Sequence, residues 1–519
     1  MSLRTEVLGL LDNAQQLCAG CADAQMLVQT LKQMRARLDQ PLRVAVVGIM
    51  KAGKSTFMNA LMGKNILFTG DLETTYTVCW FRYAPTPSLR VHFRDGSSLD
   101  TAFEDLEKWS VRKYEKENPR INDVRYLIIH YPAEVLKTLE FIDTPGLNSI
   151  YGIDAQNTED FLALKSSEDT LHETSMADAV VYAFSHTASG FDHDILHAFH
   201  NGGSTASPIN SIGILTKVDA TGIWNVFDDT TPVQAATAVS NNVMSNASMK
   251  QLLFTVLPVC AKVCEGYCQM SEQDWQTMEL ISKSEHEDLQ DLLYDARQFC
   301  VATDACYDRM GSPEDRARLM ALVGQYGILE IARLLRQGKS RDEIGAQLQS
   351  LCGIDSIRDI LYRHFANRTF VIKTQYIFSN LLSQIHRLKQ DEASSAKLLD
   401  IAEQIGDGID ALMSSVQTLK ELKVLQMYYN GQLQFQNEEE KMDFLRVTGE
   451  FGHAAELRLG APFGTTVEEL AAIAQEKVHL WHAKAAGGWI LSGSYVEAAT
   501  TIARSYEQMY YHLNALNEE

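Results

Sequence analysis

"GIMKAGKS", residues 48–55, is the stretch that decides the fold, because its spacing G-x-x-x-x-G-K-S suits a loop that wraps a phosphate group. The apolar run "LRVAVVG" leads into this loop, and "STFMNALMG" follows with apolar residues at helical spacing. A strand, a glycine-rich turn and a helix in this order present backbone N–H groups at a helix N-terminus, where the helix dipole favours an anion. We therefore expect phosphate binding by Gly48, Met50, Lys51, Ala52, Gly53, Lys54, Ser55 and Thr56.

Side chains in and after this loop predict a nucleotide with a metal ion. We expect Lys54 to place its charge on the β- and γ-phosphates and Ser55 to offer its hydroxyl to Mg²⁺. Downstream, "LEFIDTPG" ends an apolar strand in D-x-x-G. Asp143 is then expected in the Mg²⁺ shell, and the N–H of Gly146 can contact a γ-phosphate without a side chain in its way.

Two later stretches point to guanine as the base. "SIGILTKVD", residues 211–219, ends another strand in T-K-x-D, at Thr216, Lys217 and Asp219. A carboxylate at Asp219 can accept hydrogen bonds from N1–H and the exocyclic amine of guanine, whereas adenine offers no such pair of donors. The stem of Lys217 is expected to lie across the base. "TVLPVCAK" is a weaker signal, in which the backbone around Cys260 and Ala261 would meet the guanine O6.

The order of these elements predicts the fold. Three of the four lie at the C-terminal ends of predicted strands, the edge at which a doubly wound sheet binds its ligands. We expect an α/β P-loop GTPase domain with a mixed, doubly wound sheet, joined to an elongated all-α bundle or stalk. The interval from Gly48 to Asp143 exceeds that of a minimal small GTPase, so the domain is enlarged. "TVCWFRYA" and "LRVHFRDG" predict a hairpin, and "VRYLIIHYP" a further strand.

Composition narrows the function classes. The chain has 519 residues, of which 45% are hydrophobic and 22% charged, as in globular proteins of several domains. A formal charge of −21 argues against nucleic acid as a partner. Nine cysteines without a secretory signal or a long apolar run predict reduced thiols and a cytoplasmic protein, peripheral at a membrane if it meets one. No proline lies between Pro313 and Pro462, which predicts a helical second half.

The stretch "DLETTYTVCWFRY" resembles the first switch of dynamin-like proteins, particularly the bacterial ones, in which paired threonines follow a loop and lead into a strand. The resemblance implies that Thr75 joins Mg²⁺ and the γ-phosphate, with Thr74 as the second choice. Threonine at position 216, where many GTPases have asparagine, is also a dynamin-like trait. The implied metal ligands are therefore Ser55, Thr75 and Asp143.

The flanking regions resemble the same family in their helical pattern. Apolar residues repeat at intervals of three and four over residues 3–38 and again over residues 398–419, as packed helices require. The resemblance implies a neck helix at 1–40, a dynamin-type GTPase domain at 41–270, a helical stalk at 271–464, and C-terminal helices at 465–519 that return to the neck. An ordinary helical domain without a lever function is the alternative.

The residues for hydrolysis depart from familiar patterns. Small GTPases commonly place a glutamine after D-x-x-G, but Leu147 stands here and cannot polarise water. Dynamins commonly use a glutamine and a serine in the phosphate loop, where this chain has Met50 and Lys51. Our hypothesis is that Lys51 compensates transition-state charge when two GTPase domains pair across their nucleotides. Alternatively, Lys51 projects into solvent. The candidate catalytic residues are Lys51, Lys54, Thr75 and Gly146.

Two functional classes remain open. The first is a mechanochemical GTPase in which pairing of GTPase domains moves a helical stalk, with membrane remodelling implied by the family. The second is a regulatory GTPase whose helical domain binds a protein partner. The best lipid-binding candidate is the short apolar stretch in "AAGGWILSG", residues 485–493, which could equally cap a helix bundle.

Overall fold

The chain divides into two compact units. The computed structural model describes residues 3–49, 51–67, 77–111, 114, 116–144, 177–185, 192–193, 196, 210–220, 222–304, 307, 309–391, 394–429, 432–452, 454–486 and 492–518. The unit that we call the sheet unit comprises residues 41–203 and 211–360. The helical unit comprises residues 1–40, 204–210 and 361–519.

A mixed β-sheet forms the centre of the sheet unit. Its nine strands in the described residues are β1 Leu42–Gly48, β2 Val78–Tyr83, β3 Ser88–Phe93, β4 Ser98–Thr101, β5 Val124–Tyr131, β6 Leu139–Asp143, β7 Ala179–Ser185, β8 Ser211–Thr216 and β9 Val256–Pro258. They lie in the order β4-β3-β5-β2-β6-β1-β7-β8-β9. Strand β1 runs parallel to both β6 and β7, and all seven of its residues are buried. Parallel strands covered on both faces are apolar throughout, which explains the run "LRVAVVG".

The predicted hairpin of β2 and β3 is wrong. Strand β5 lies between them, parallel to β2 and antiparallel to β3. The short connection contains Pro85 and Pro87, which have no N–H to donate to a hairpin ladder. The N–H of Ala84 instead donates to the carbonyl of Tyr131, so the end of β2 stays with β5. Strand β5 is the run "VRYLIIHY", which was expected as a strand.

Helices cover the sheet and extend the unit to residue 360. They are α3 Lys54–Met62, α4 Leu106–Ser110, α5 Pro232–Ser245, α6 Ala247–Leu252, α7 Ala261–Gln269, α8 Glu272–Ile281, α9 His286–Tyr294, α10 Ala296–Val301, α11 Pro313–Arg336, α12 Arg341–Leu351 and α13 Ile354–Ile360. The compact unit therefore runs past the boundary expected at residue 270. The N–H of Cys260 donates to the carbonyl of Cys352, and Arg358 donates to the carbonyl of Leu61, so these later helices are held to the early part of the unit.

The helical unit has two apolar cores. Its helices are α1 Leu3–Cys18, α2 Gln25–Leu38, α14 Thr369–Gln390, α15 Ala396–Ser415, α16 Gln417–Tyr429, α17 Glu438–Val447, α18 Ala455–Leu459, α19 Val467–Ala486 and α20 Gly493–Glu518. Residues of α1 and α2 share one core with α14 and α15, including Val7, Leu31, Ile377 and Ile405. Residues of α16, α17, α19 and α20 form the other core around Trp481.

The expected return of residues 465–519 to the N-terminal helix stays a prediction, since both segments belong to the helical unit. Among the described residues, the apolar faces of α1 and α2 pack against α14 and α15. Because the heptad-like rhythm of residues 398–419 equals that of residues 3–38, the pattern indicates burial without naming the partner. Among the described helices, none is both long and apolar enough to cross a bilayer. The mixed sheet and the helical C-terminal region confirm the predicted fold class.

Candidate functional site

Gly48 ends β1 at a point where no side chain fits. Its φ is +153°, and a Cβ built on it would lie 2.6 Å from the carbonyl oxygen of Ala183 on β7. The chain then turns through residues 51–53 into α3, whose N-cap Gly53 has a φ of +83°. The N-cap residue is a glycine, which has no side chain to cap the N–H groups of the first turn. Uncapped N–H groups at a helix start suit an anion.

Lys54 and Asp143 lie in the buried floor of this loop. The ammonium of Lys54 donates to the carbonyl oxygens of Gly48 (3.2 Å) and Ile49 (3.1 Å), and the side chain of Asp143 is fully buried. Burial lowers the pKa of Lys54 to about 8, although the nearby Asp143 acts in the opposite direction. Burial raises the pKa of Asp143 to about 7, against the opposing effects of Lys54 and the Ser55 hydroxyl. Charges from a bound phosphate and a cation would favour the ionised form of each group.

The oxygen atoms beside Asp143 fit a hard cation. The hydroxyl of Ser55 lies 3.5 Å from Oδ2 of Asp143. Oδ1 of Asp143 is buried and has no hydrogen-bond partner among the described residues. The hydroxyl of Thr144 does not compete for this oxygen, because it donates to the carbonyl of Val46 at 2.9 Å. Carboxylate and hydroxyl oxygens are the donors that Mg²⁺ prefers, so these residues fit the ion.

Thr216 fastens the phosphate loop to the sheet. Its buried hydroxyl lies 2.7 Å from the carbonyl oxygen of Ala52 and 2.8 Å from that of Phe184. One proton serves both acceptors in turn, so the end of β8 is tied to the loop and to β7. Thr216, the first residue of T-K-x-D, therefore contacts the phosphate loop through its hydroxyl. Valine has the same shape but no hydroxyl and could not make this contact.

The residues predicted to recognise the base lie at the neighbouring strand ends. Lys217 is exposed with a φ of +54°, and Asp219 is half-buried in the turn after β8. Cys260 and Ala261 are buried at the start of α7, after β9. A hydrogen bond with Cys352 lowers the pKa of the Cys260 thiol, but burial and the charge of Asp219 outweigh it and raise that pKa above its ordinary value.

Sequence reasoning missed Asn59, a buried polar residue of α3. Its Oδ1 accepts from the N–H groups of Ile66 (2.9 Å) and Leu67 (2.8 Å). Its amide nitrogen lies 2.6 Å from a carboxylate oxygen of Glu265 on α7 and 2.8 Å from the carbonyl of Leu67. The helix after the phosphate loop is thereby joined to the helix that begins at Cys260. An asparagine between apolar residues in "STFMNALMG" was the available signal.

The structure brings together Lys54, Ser55, Asp143, Thr216 and Asp219 at one edge of the sheet, and Lys51 is exposed beside them with a φ of +60°. Ala52 is buried, and Ser55 and Thr56 lie in the first turn of α3. Met50, Thr74, Thr75, Gly146 and Leu147 lie outside the described residues, as does most of the stretch in "AAGGWILSG".

Comparison with known proteins identifies the family. A model described as "Dynamin family" matches residues 44–218, which run from β1 to the residue before Asp219. A "Bacterial dynamin-like protein" of Nostoc punctiforme is 38% identical over 117 residues, 20% of this chain and 17% of that protein. "Dynamin-like protein 2" of Campylobacter jejuni is 31% identical over 140 residues, 26% of this chain and 22% of that protein. Residues 44–218 thus match the dynamin family, and the chain is similar to bacterial dynamin-like proteins.

A longer match extends beyond the GTPase elements of this dynamin-like protein. "Isoniazid-induced protein IniC" of Mycobacterium tuberculosis is 26% identical over 442 residues, which cover 83% of this chain and 82% of that protein. Members of the dynamin family are GTPases, and this dynamin-like protein is accordingly a GTP hydrolase. The predicted recognition from "DLETTYTVCWFRY" and the predicted enzyme class are confirmed.

Proposed function

We propose that this dynamin-like GTPase binds GTP together with Mg²⁺ at the phosphate loop and couples hydrolysis to movement of its helical unit. The observation that carries the proposal is the meeting of Lys54, Ser55 and Asp143 at the loop, with Thr216 and Asp219 at the adjacent strand end. Cations, hydroxyls and a buried carboxylate at one helix N-terminus suit a nucleoside triphosphate and little else.

Each residue of the site has a role in this proposal. Lys54 leaves its two loop carbonyls to meet the β- and γ-phosphates, while the N–H groups of Lys51 to Thr56 wrap the β-phosphate. Ser55 and Asp143, with Thr75 from the first switch, hold Mg²⁺, which neutralises phosphate charge when bound. Gly146 offers its N–H to the γ-phosphate.

The base is held at the other end of the site. Asp219 accepts from two guanine donors, Lys217 lies along the base, and the backbone at Cys260 and Ala261 meets the O6. Thr216 contributes by fixing the loop rather than by touching the nucleotide with its hydroxyl, which is already engaged. This is a refinement of the role expected for Thr216.

Catalysis is assigned to Lys51 within a pair of GTPase domains. Lys51 is exposed at the loop and has the left-handed backbone conformation that is uncommon outside glycine. An exposed cation beside the phosphates is placed to serve a nucleotide once a second GTPase domain covers it and excludes water. The family resemblance implies such pairing, and it implies that the resulting motion works on a membrane.

The experiment that tests this proposal is GTP turnover per molecule over a wide range of protein concentration, with and without liposomes. A specific rate that rises with concentration supports paired GTPase domains, and a further rise with liposomes supports membrane work. A slow rate that is independent of both would overturn pairing and favour a regulatory switch that binds a protein partner. Omission of Mg²⁺ in each series tests the metal requirement.

A further inference from the structure

Helix α11 is broken at Gly324, next to the base-recognition end of the site. Gly324 has a φ of +67° and a ψ of −177°, although the residues on either side are helical. Backbone in this region is essentially restricted to glycine, because a Cβ would collide with its own peptide groups. A helix of 24 residues thus contains one position that excludes side chains on conformational grounds.

The surroundings of Gly324 show what a side chain there would meet. A Cβ built on it would lie 3.5 Å from Oδ2 of Asp219, and apart from the adjoining backbone of α11 no other heavy atom of the described residues lies within 4 Å of that position. Beyond its own helix, a Cβ at position 324 would therefore contact the carboxylate that is expected to recognise guanine.

Neighbouring elements hold α11 on both sides of the break. On one side, the carbonyl of Leu322 lies so close to α7 that a Cβ on Gly266 would come within 2.1 Å of it. On the other side, the ring of Tyr326 meets that of Trp224 edge-on, with centroids 5.2 Å apart. Trp224 belongs to the loop that follows Asp219. Strain introduced at Gly324 therefore cannot be relieved by sliding α11 along the sheet unit.

We propose that Gly324 is a specificity-determining residue for the guanine base. Recognition by Asp219 requires both carboxylate oxygens to face N1–H and the exocyclic amine of the base. With glycine at 324 only a hydrogen atom faces Oδ2, whereas a methyl group would cover this oxygen and strain the backbone beside it. The inference rests on the proposed function in one respect, namely that Asp219 is the guanine acceptor.

The test compares binding of GDP with binding of IDP, whose base lacks the exocyclic amine, by titration calorimetry on the full chain. The wild-type chain should bind GDP about 10- to 100-fold more tightly, the range expected for one hydrogen bond to a charged acceptor. In Gly324→Ala the ratio of the two affinities should fall at least about fivefold, because only one carboxylate oxygen stays open, which serves the single donor of IDP but not both donors of GDP. The matched control is Gly338→Ala, since Gly338 also has a positive φ (+74°) but no atom lies within 4 Å of its Cβ position.

A second variant, at Asp219, distinguishes failure of the inference about Gly324 from failure of the proposal that Asp219 recognises guanine. Asp219→Asn should prefer XDP to GDP, because an amide can donate to the extra carbonyl of xanthine. If Asp219→Asn keeps the GDP preference, guanine recognition by Asp219 is wrong. If Asp219→Asn switches but Gly324→Ala keeps the wild-type GDP to IDP ratio, only the inference about Gly324 is overturned.

A second variant at position 324 is needed in case Gly324→Ala does not fold. Gly324→Asn carries the same Cβ on a residue that adopts positive φ more often than alanine does, although at a different ψ, so it serves as the second variant. A reduced GDP to IDP ratio in either folded variant supports the inference. Failure of both to fold, while Gly338→Ala folds, would show that backbone conformation alone requires this glycine and would overturn it.

Discussion

Thr216→Val tests whether the end of β8 fastens the phosphate loop. Valine keeps the shape of threonine and replaces the hydroxyl with a methyl group, which cannot donate to the carbonyl of Ala52 or of Phe184. The two oxygens now lie 2.7 and 2.8 Å from the hydroxyl. A carbon atom needs about 3.3 Å or more from a carbonyl oxygen, so the loop must also retreat by about 0.5 Å.

The expected cost follows from these contacts. Loss of one buried hydrogen bond destabilises a protein by about 1 kcal/mol, and a buried carbonyl left without a donor adds about 1–2 kcal/mol. Thr216→Val should therefore lower the free energy of unfolding by about 2–3 kcal/mol. GDP affinity should fall about tenfold, which corresponds to about 1.4 kcal/mol of binding energy used to restore the loop.

Urea unfolding and calorimetric GDP titration measure the two effects, and Thr277→Val is the matched control. Thr277 is equally buried, but its hydroxyl donates to the carbonyl of Gln273 within the same helix at 3.0 Å, away from the loop. The control should keep the wild-type GDP affinity. If Thr216→Val matches the control in both measurements, the hydroxyl does not fasten the loop and our reasoning is wrong.

Three further substitutions test separate parts of the site. Lys54→Ala should weaken GDP binding at least ~100-fold in the same titration, because it removes the buried cation at the phosphates; a loss below threefold would contradict this role. Lys51→Ala should lower GTP turnover by ~10²-fold or more with little change in GTP binding, and unchanged turnover would remove its catalytic assignment. Asn59→Ala should lower the free energy of unfolding by about 2–4 kcal/mol, since the N–H of Leu67 and its neighbours lose their partner, whereas the helix-cap variant Asn246→Ala should cost about 1 kcal/mol; equal costs would argue against a special role for Asn59.

The phosphate loop was predictable because its requirements are local. Gly48 must lack a side chain where β1 meets Ala183, and the loop residues that follow are contiguous in the chain. The same holds for Asp143 and Asp219, each of which follows a run of apolar residues that can only be a buried strand. Strand ends of a doubly wound sheet meet at one edge, so sequence order alone brings these groups together.

Pairing between distant segments was not predictable in the same way. The runs that form β2 and β3 have the alternation and the short connection of a hairpin, yet β5 inserts between them. A strand pattern states which face is buried and leaves the neighbour open. The apolar faces of α1 and α2 likewise state that a partner exists, and only the folded chain shows that α14 and α15 supply it.

Buried polar residues are local features of the sequence that also indicate contacts between distant segments. Thr216, Asn59 and Asp143 are each almost fully inaccessible, and each stands in a stretch that otherwise reads as apolar core. A buried polar group costs free energy unless its partners are in place, so its presence signals a contact that the chain must make elsewhere. For Thr216 the partner is the phosphate loop, and for Asn59 it is the segment at residues 65–67 together with α7. Such residues stand out in the sequence because they are polar among apolar neighbours, and in the fold each makes a hydrogen bond or ion contact that joins separate segments of the sheet unit.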